Sequence, residues 1–295
     1  VTFAAVRILA LTTVAALLGA CGPDLGAPPL AGGGVRPATV VRVATWNVHD
    51  LFDEHDREVP PGDQDLVPAA AEVEAKLDAL AAVLARLDAD LVVLQEVEDR
   101  ALLGRLAARA GYPEARLVEG SDPRGIDVAA LSRLPIEAYV SHRGEIDSAG
   151  RPLWPRDCVE VHALAAGRRL VVVASHFSSA LSDGGTRRHA QATRMREIAD
   201  LARGRQPGAR VLAGGDLNDV PGSVALAPLV DDGGWVDAAP AGDVTWQGAS
   251  GSARLDYLLL AREDAARLVA IGIASGADVA RASDHRPVVV DLAMD

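Results

Sequence analysis

Aromatic residues are scarce in this chain, with three Phe, four Trp and three Tyr among 295 residues. The 49% of hydrophobic residues can build a sizeable core, and that core must be largely aliphatic. Basic residues are outnumbered 29 to 41, which leaves a formal net charge of −12. No run of Lys and Arg with interleaved aromatics is present. Tight gripping of a polyanion by phosphate neutralisation needs such a run, so this composition argues against it. A phosphate-bearing ligand must then be held by a metal or by a few placed arginines. Cysteines number two, Cys21 and Cys158, and neither belongs to a metal-spaced pair, which argues against a structural zinc site. No internal repeat is visible, nor a second linker beyond the one near the N-terminus.

Residues 1–21 read as an export signal. Arg7 is their only charge, and the apolar run Ile8 to Leu18 is too short to span a bilayer comfortably. Leu18-Gly19-Ala20-Cys21 follows, and it resembles the lipobox of bacterial lipoproteins. That resemblance implies that Cys21 becomes an acylated N-terminus, anchors the protein to a membrane of the cell envelope, and is withdrawn from any disulfide. Residues 22–38 are dominated by Gly, Pro and Ala and read as a flexible tether. One domain is expected over 39–295, in a protein expected to be a monomer.

Within that domain, Val-rich Val40 to Thr45 predicts a strand, and the acidic, Pro-containing stretch Asp50 to Pro68 a loop. Apolar residues at Val73, Leu77, Leu80, Leu84 and Leu87 have helical spacing and predict a helix from Glu72 to Leu87. Leu91 to Leu94 is continuously apolar, as suits a strand covered on both faces. A second helix is expected over Ala101 to Ala110 and a third over Thr186 to Arg203. Val128 to Leu131, Val159 to Leu164, Leu170 to Ala174, Val211 to Ala213 and Val288 to Leu292 read as further strands. Cys158 reads as a small core residue.

The polar residues that stand out recur where apolar runs end. Asn47, Glu96, His176, Asp216 with Asn218, and Asp284 with His285 all flank such a run, and Asp256 begins one. Strands of an α/β sheet commonly project polar side chains from their ends into one crevice. Each residue also has a plainer reading: Asn47 can satisfy a turn, and Glu96 can cap the helix that follows it. In Gly214-Gly215-Asp216-Leu217-Asn218 the glycines let the backbone turn or approach a ligand. If the segment is extended, Asp216 and Asn218 share a face. A carboxylate beside an amide suits binding a hard cation, positioning a water, or both.

Taken in order, Trp46-Asn47, Gln95-Glu96, Ser175-His176, Gly215-Asp216-Leu217-Asn218, Arg254-Leu255-Asp256-Tyr257 and Ser283-Asp284-His285 resemble the endonuclease/exonuclease/phosphatase superfamily. The resemblance spans Val40 to Leu292. It implies an α/β fold, a four-layer α/β/β/α sandwich with two mixed sheets face to face and helices outside. It implies phosphoester hydrolysis by an activated water with Mg²⁺ or Mn²⁺, endonuclease-like in the first instance, on nucleic acid, a phospholipid head group or a small molecule. Glu96 is implied as a metal ligand, with Asn47 and Asp284 completing or supporting the metal site. Asp216 is implied to orient the attacking water, Asn218 to contact the phosphate, and His285 to bond it while Asp256 orients His285. His176 is implied to contact phosphate or assist the leaving group. Arg124 and Arg156 are candidate phosphate contacts. Some abasic-site endonucleases carry an acidic residue two positions after the matched Asn; here that position is His49. A catalytically silent surface binding protein is the alternative of another class.

Overall fold

The computed structural model describes residues 36–55, 66–179, 185–230, 233–239 and 242–295. The signal-like segment with Cys21, and nearly all of the tether, lie outside the described residues. In chain order the strands and helices are β1 Val40–Leu51, α1 Ala70–Leu87, β2 Leu91–Val97, α2 Arg100–Ala110, β3 Glu114–Leu117, β4 Asp127–Ser132, β5 Ile136–Ser141, β6 Cys158–Ala165, β7 Arg168–His176, α3 Thr186–Arg205, β8 Arg210–Asp216, α4 Ala227–Val230, β9 Trp235–Asp237, β10 Trp246–Gly248, β11 Gly251–Ala253, β12 Asp256–Ala261, β13 Leu268–Ile273, α5 Ala277–Ala282 and β14 Val288–Ala293.

The strands form two six-stranded sheets, ordered β13-β14-β1-β2-β4-β3 and β5-β6-β7-β8-β12-β9. Each sheet holds one parallel pair, β1 with β2 and β7 with β8, and its other pairs are antiparallel. Parallel neighbours need a crossover, supplied by α1 in the first sheet and α3 in the second. Both pairs therefore end side by side.

The near-continuous apolar runs are explained by cover on both faces. Val43, Val93, Val172, Leu212, Leu258 and Val290 meet between the sheets. Ala44, Trp46, Val92 and Leu94 face the other way, onto α1 and α2. Val171, Val173, Val211 and Ala213 likewise face α3. This is the expected four-layer sandwich. With Leu77, Leu80, Leu84 and Leu87 all buried, α1 contributes about 2 kcal/mol per side chain by area transfer. It begins two residues before the expected start because the Glu72 carboxylate accepts the Ala69 N–H and closes the first turn. The cap of α2 is the Asp99 side chain, which accepts the Leu102 N–H at 2.8 Å; Glu96 does not cap it. Cys158 is fully buried in the layer under α3, and burial pushes its thiol well up.

Candidate active site

The two glycines of the Gly-Gly-Asp segment lie inside β8, and the turn comes after Asp216. A Cβ at Gly214 would stand 1.9 Å from the Tyr257 carbonyl oxygen, and one at Gly215 2.0 Å from that of Ser175. Gly215 also has φ +121°, a value that disfavours any side chain. The glycines therefore bring β7 and β12 close to β8. In that register Asp216 pairs with His176 on one side and Asp256 on the other. Asn218 has φ +50°, so the segment is not extended and Asn218 does not share a face with Asp216 by alternation. Its N–H donates to Asp216 Oδ1 at 2.9 Å and its amide to the Phe177 carbonyl at 3.0 Å.

Asn47, Glu96, His176, Asp216, Asp256 and His285 converge at the ends of β1, β2, β7, β8 and β12. The Asn47 amide donates to Glu96 Oε1 at 3.0 Å and to Asp216 Oδ2 at 2.9 Å, bridging the two sheets. His176 Nε2 lies 3.4 Å from Asp216 Oδ2 and 4.0 Å from Glu96 Oε1. His285 Nδ1 meets Asp256 Oδ2 at 2.8 Å, which leaves Nε2 3.8 Å from Asp216 Oδ2. The loop carrying His285 is pinned by Ser283 Oγ, which donates to the Asn47 carbonyl at 2.8 Å and accepts the His285 N–H at 3.0 Å.

Asp284 is set apart from this group. It accepts from Trp246 Nε1 at 3.0 Å and lies 3.1 Å from His49 Nδ1. A carboxylate the sequence reading passed over, Asp50, stands in the centre instead. His49 and Asp50 have φ +54° and +50°, and this bend returns the Asp50 N–H to Glu96 Oε2 at 2.8 Å. Glu96 itself has φ +65°, at an irregularity in the β2 pairing. Positive φ at three adjacent non-glycine residues is costly and marks a site held by its surroundings. His49, Asp50 and Glu96 bring potential ligand atoms within 4.8 Å of one another. Asp50 Oδ1 is buried without a hydrogen bond, 3.4 Å from Arg124. A hard divalent cation takes such oxygens and keeps several waters, so the donor set fits one. Asp216, Asp256 and His285 form a second such group, with Nδ1 already committed to Asp256.

Burial raises the Asp216 carboxyl, and the Asp256 charge raises it further, to about 7. Burial opposes charge on His285, yet Asp256 and Asp216 outweigh it and lift the imidazole to about 10. His176 is pushed well below its usual value by burial and then by Arg156. For Glu96 burial acts upward, and His176, the Asn47 amide, the Asp50 N–H and Arg124 act downward and win. A His176 kept neutral by burial cannot lend its charge, but the two hydrogen bonds and Arg124 act regardless, so Glu96 stays ionised. Neighbouring groups thus differ in protonation at neutral pH, as acid–base chemistry requires.

Arg124 reaches the centre, 3.8 Å from Glu96 Oε1. Arg156 is held by Asp122 at 2.7 Å and by the Phe177 carbonyl at 3.1 Å. It borders, with His176 and Ser178, a cavity of about 200 Å³. Thr245 had no role assigned from the sequence; its hydroxyl accepts the N–H groups of Leu255 and Asp256 and fixes where β12 starts. A buried Thr before an aromatic carries no distinctive sequence signal.

The model of the Endonuclease/Exonuclease/phosphatase family matches residues 44–285. The inositol phosphosphingolipids phospholipase C of Saccharomyces cerevisiae is 30% identical over 165 residues. The alignment covers 51% of this chain and only 34% of that protein. Truncated TDP2 of Caenorhabditis elegans superposes with a TM-score of 0.60 at 18% identity, covering 86% of this chain and 97% of that one. Sphingomyelinase C of Streptomyces griseocarneus gives 0.56 at 21% identity, over 86% and 99%. At these identities the structural likeness speaks for the fold.

Proposed function

Because the chain belongs to the endonuclease/exonuclease/phosphatase family, of metal-dependent phosphoester hydrolases, we propose that its centre cleaves a phosphodiester with water, Asp216 and His285 sharing the proton work. The observation that carries this reading is the pairing of Asp216 and His285 across 3.8 Å, with the carboxyl raised to about 7 and the imidazole to about 10. Asp216 positions the attacking water and accepts its proton, which a carboxyl near 7 does well at neutral pH. His285, protonated and oriented by Asp256, donates from Nε2 to a phosphoryl oxygen as negative charge builds there. Asn47 holds Glu96 and Asp216 at a fixed separation across the two sheets. Asn218, through its N–H on Asp216, sets the carboxylate's angle, and its amide contacts the phosphate when the Phe177 carbonyl is released. His176, neutral, contacts the phosphate or assists the leaving group. Glu96, Asp50 and His49 would hold the divalent cation, Mg²⁺ or Mn²⁺, with Asp284 supporting through His49. When bound, the cation offsets the charge of the phosphodiester.

A phospholipid head group is favoured as substrate over a long polynucleotide. The net charge of −12 opposes a polyanion, and the yeast relative is named for a phosphosphingolipid. We also propose that Cys21 carries lipid and holds the domain in the cell envelope; loss of labelled palmitate in Cys21→Ser tests that.

The decisive experiment supplies the protein with Mg²⁺ or Mn²⁺ and offers bis(4-nitrophenyl) phosphate, sphingomyelin vesicles, plasmid DNA and RNA. Hydrolysis abolished by EDTA and reduced at least a hundredfold in Asp216→Ala is expected. Absence of EDTA-sensitive turnover of all four overturns the reading and favours a silent binding protein.

A further inference from the structure

We infer that a cavity beside the centre is a subsite for a second phosphate of the substrate, distinct from the phosphoester that is cleaved. The cavity measures about 770 Å³, and His49, Lys76, Gln247, Asp284, Arg281 and Arg286 are among its walls. Asp284 and His49 line it, and His49 also belongs to the cation-binding group, so the cavity adjoins the centre.

The charge here runs against that of the molecule. In a chain with a net charge of −12, Asp284 is the one carboxylate among the described lining residues. It is engaged by Trp246 and His49. Facing it are Lys76, Arg281 and Arg286. Lys76 is the only lysine of the 295 residues, and it is largely withdrawn from solvent. An ammonium in such a place loses hydration and needs acceptors. One of its N–H groups donates to the Ala282 carbonyl at 2.6 Å. No carboxylate among the described residues stands within ion-pairing distance of it. Closing the last turn of α5 accounts for that one bond and for neither arginine. Arg281 makes no ion pair among the described residues, and Arg286 donates from its side chain to Gln247 Oε1 alone, at 3.1 Å. Three cations with spare donors around one cavity match the acceptor oxygens of a phosphate group. Two sources supply that chemistry: a phosphate monoester on a head group, or the neighbouring phosphate of a nucleotide.

The inference rests on the phosphodiesterase reading, and two matched pairs of soluble diesters separate the two. Glycerophosphoinositol is compared with its 4-phosphate, and a dinucleotide with the same dinucleotide bearing a 5′-phosphate. Each competes against bis(4-nitrophenyl) phosphate on the full protein with Mg²⁺ in excess. At least one phosphorylated member is expected to compete about tenfold better than its partner, and the pair that does so names the source. In Arg281→Ala/Arg286→Ala that ratio falls to about one, while Arg281→Lys/Arg286→Lys keeps most of it. Equal competition within both pairs, or a preference that survives the alanine variant, overturns the subsite.

A second readout needs no turnover, so failure of the phosphodiesterase reading leaves the subsite testable. Reductive methylation with ¹³C-formaldehyde labels the one lysine and keeps its charge. Its resonance in the metal-free protein is expected to shift on adding one of the phosphorylated diesters and to stay put with the partner compound. A resonance unmoved by all four overturns the subsite.

Discussion

Replacing Gly215 with alanine tests the claim that close strand approach builds the centre. The new Cβ would lie 2.0 Å from the Ser175 carbonyl oxygen, at a backbone φ of +121°. Such a φ costs a residue with a side chain roughly 1–3 kcal/mol. Contact at 2.0 Å is more than an ångström inside van der Waals distance, and relieving it adds about 1–3 kcal/mol of the overpacking kind. The sum is about 2–6 kcal/mol, a fall in Tm of roughly 5–20 °C for a chain of this size. Gly214→Ala meets the Tyr257 carbonyl at 1.9 Å but has no positive φ, so the overpacking part alone applies and the fall is about 2–10 °C. Differential scanning calorimetry of the metal-free proteins measures both. The same shifts push Ser175, which precedes His176, away from Gly215 and Tyr257, which follows Asp256, away from Gly214, so folded variants should lose about a hundredfold in kcat. A Gly215→Ala protein melting within 1 °C of the parent refutes the argument, as does one whose loss is smaller than that of Gly214→Ala.

Other perturbations separate structural from chemical roles. His285 has a folded pKa of about 10 against about 6.5 unfolded, so its contribution to stability is complete below about 6.5 and is lost as pH rises through 10. Melting of the metal-free protein between pH 6 and 10.5 should show that decline, and Asp256→Asn should flatten it. Far from the centre, Glu145 and Glu160 are buried in part, which raises them, yet Arg194 bonds one and His142 and His162 bond the other, and both fall to about 2. Their contribution is present above about 4.5 and lost as pH falls toward 2, so urea midpoints followed from pH 5 to 2 should drop less in Glu160→Gln. Asp50→Asn should weaken Mn²⁺ binding about tenfold by calorimetry while Asp284→Asn weakens it less; the reverse order would reassign the ligands.

Much of the architecture was legible because it rests on local periodicity. The leucines of α1 and the Val-rich runs of β1, β2 and β7 declare their buried faces in order along the chain. The ordered polar residues at strand ends were legible for the same reason, since each directly precedes, begins or follows its run. The short edge strands and β10–β11 were not, because a three-residue strand has no period to read and exists through its partners. Asp50 escaped notice because it reads as part of an acidic loop, and only the positive φ of His49 and Asp50 turns it onto Glu96. The glycines of β8 looked like a turn, and their reason for being glycine lies on two other strands.

The amino-acid sequence by itself determined the main strands and helices, the faces they bury, and most of the polar side chains that the fold brings together. It does so because burial and helical or extended geometry are properties of neighbours along the chain. Distance, protonation and charge balance within the centre were decided only by the tertiary structure. The proton affinities of Asp216 and His285 arise from burial and from Asp256 across a strand pair. The cationic cavity arises because Lys76 and Arg286, 210 positions apart, share one wall of the same fold. Electrostatic interaction depends on distance through space and on the water excluded between groups, and neither is written in the order of residues.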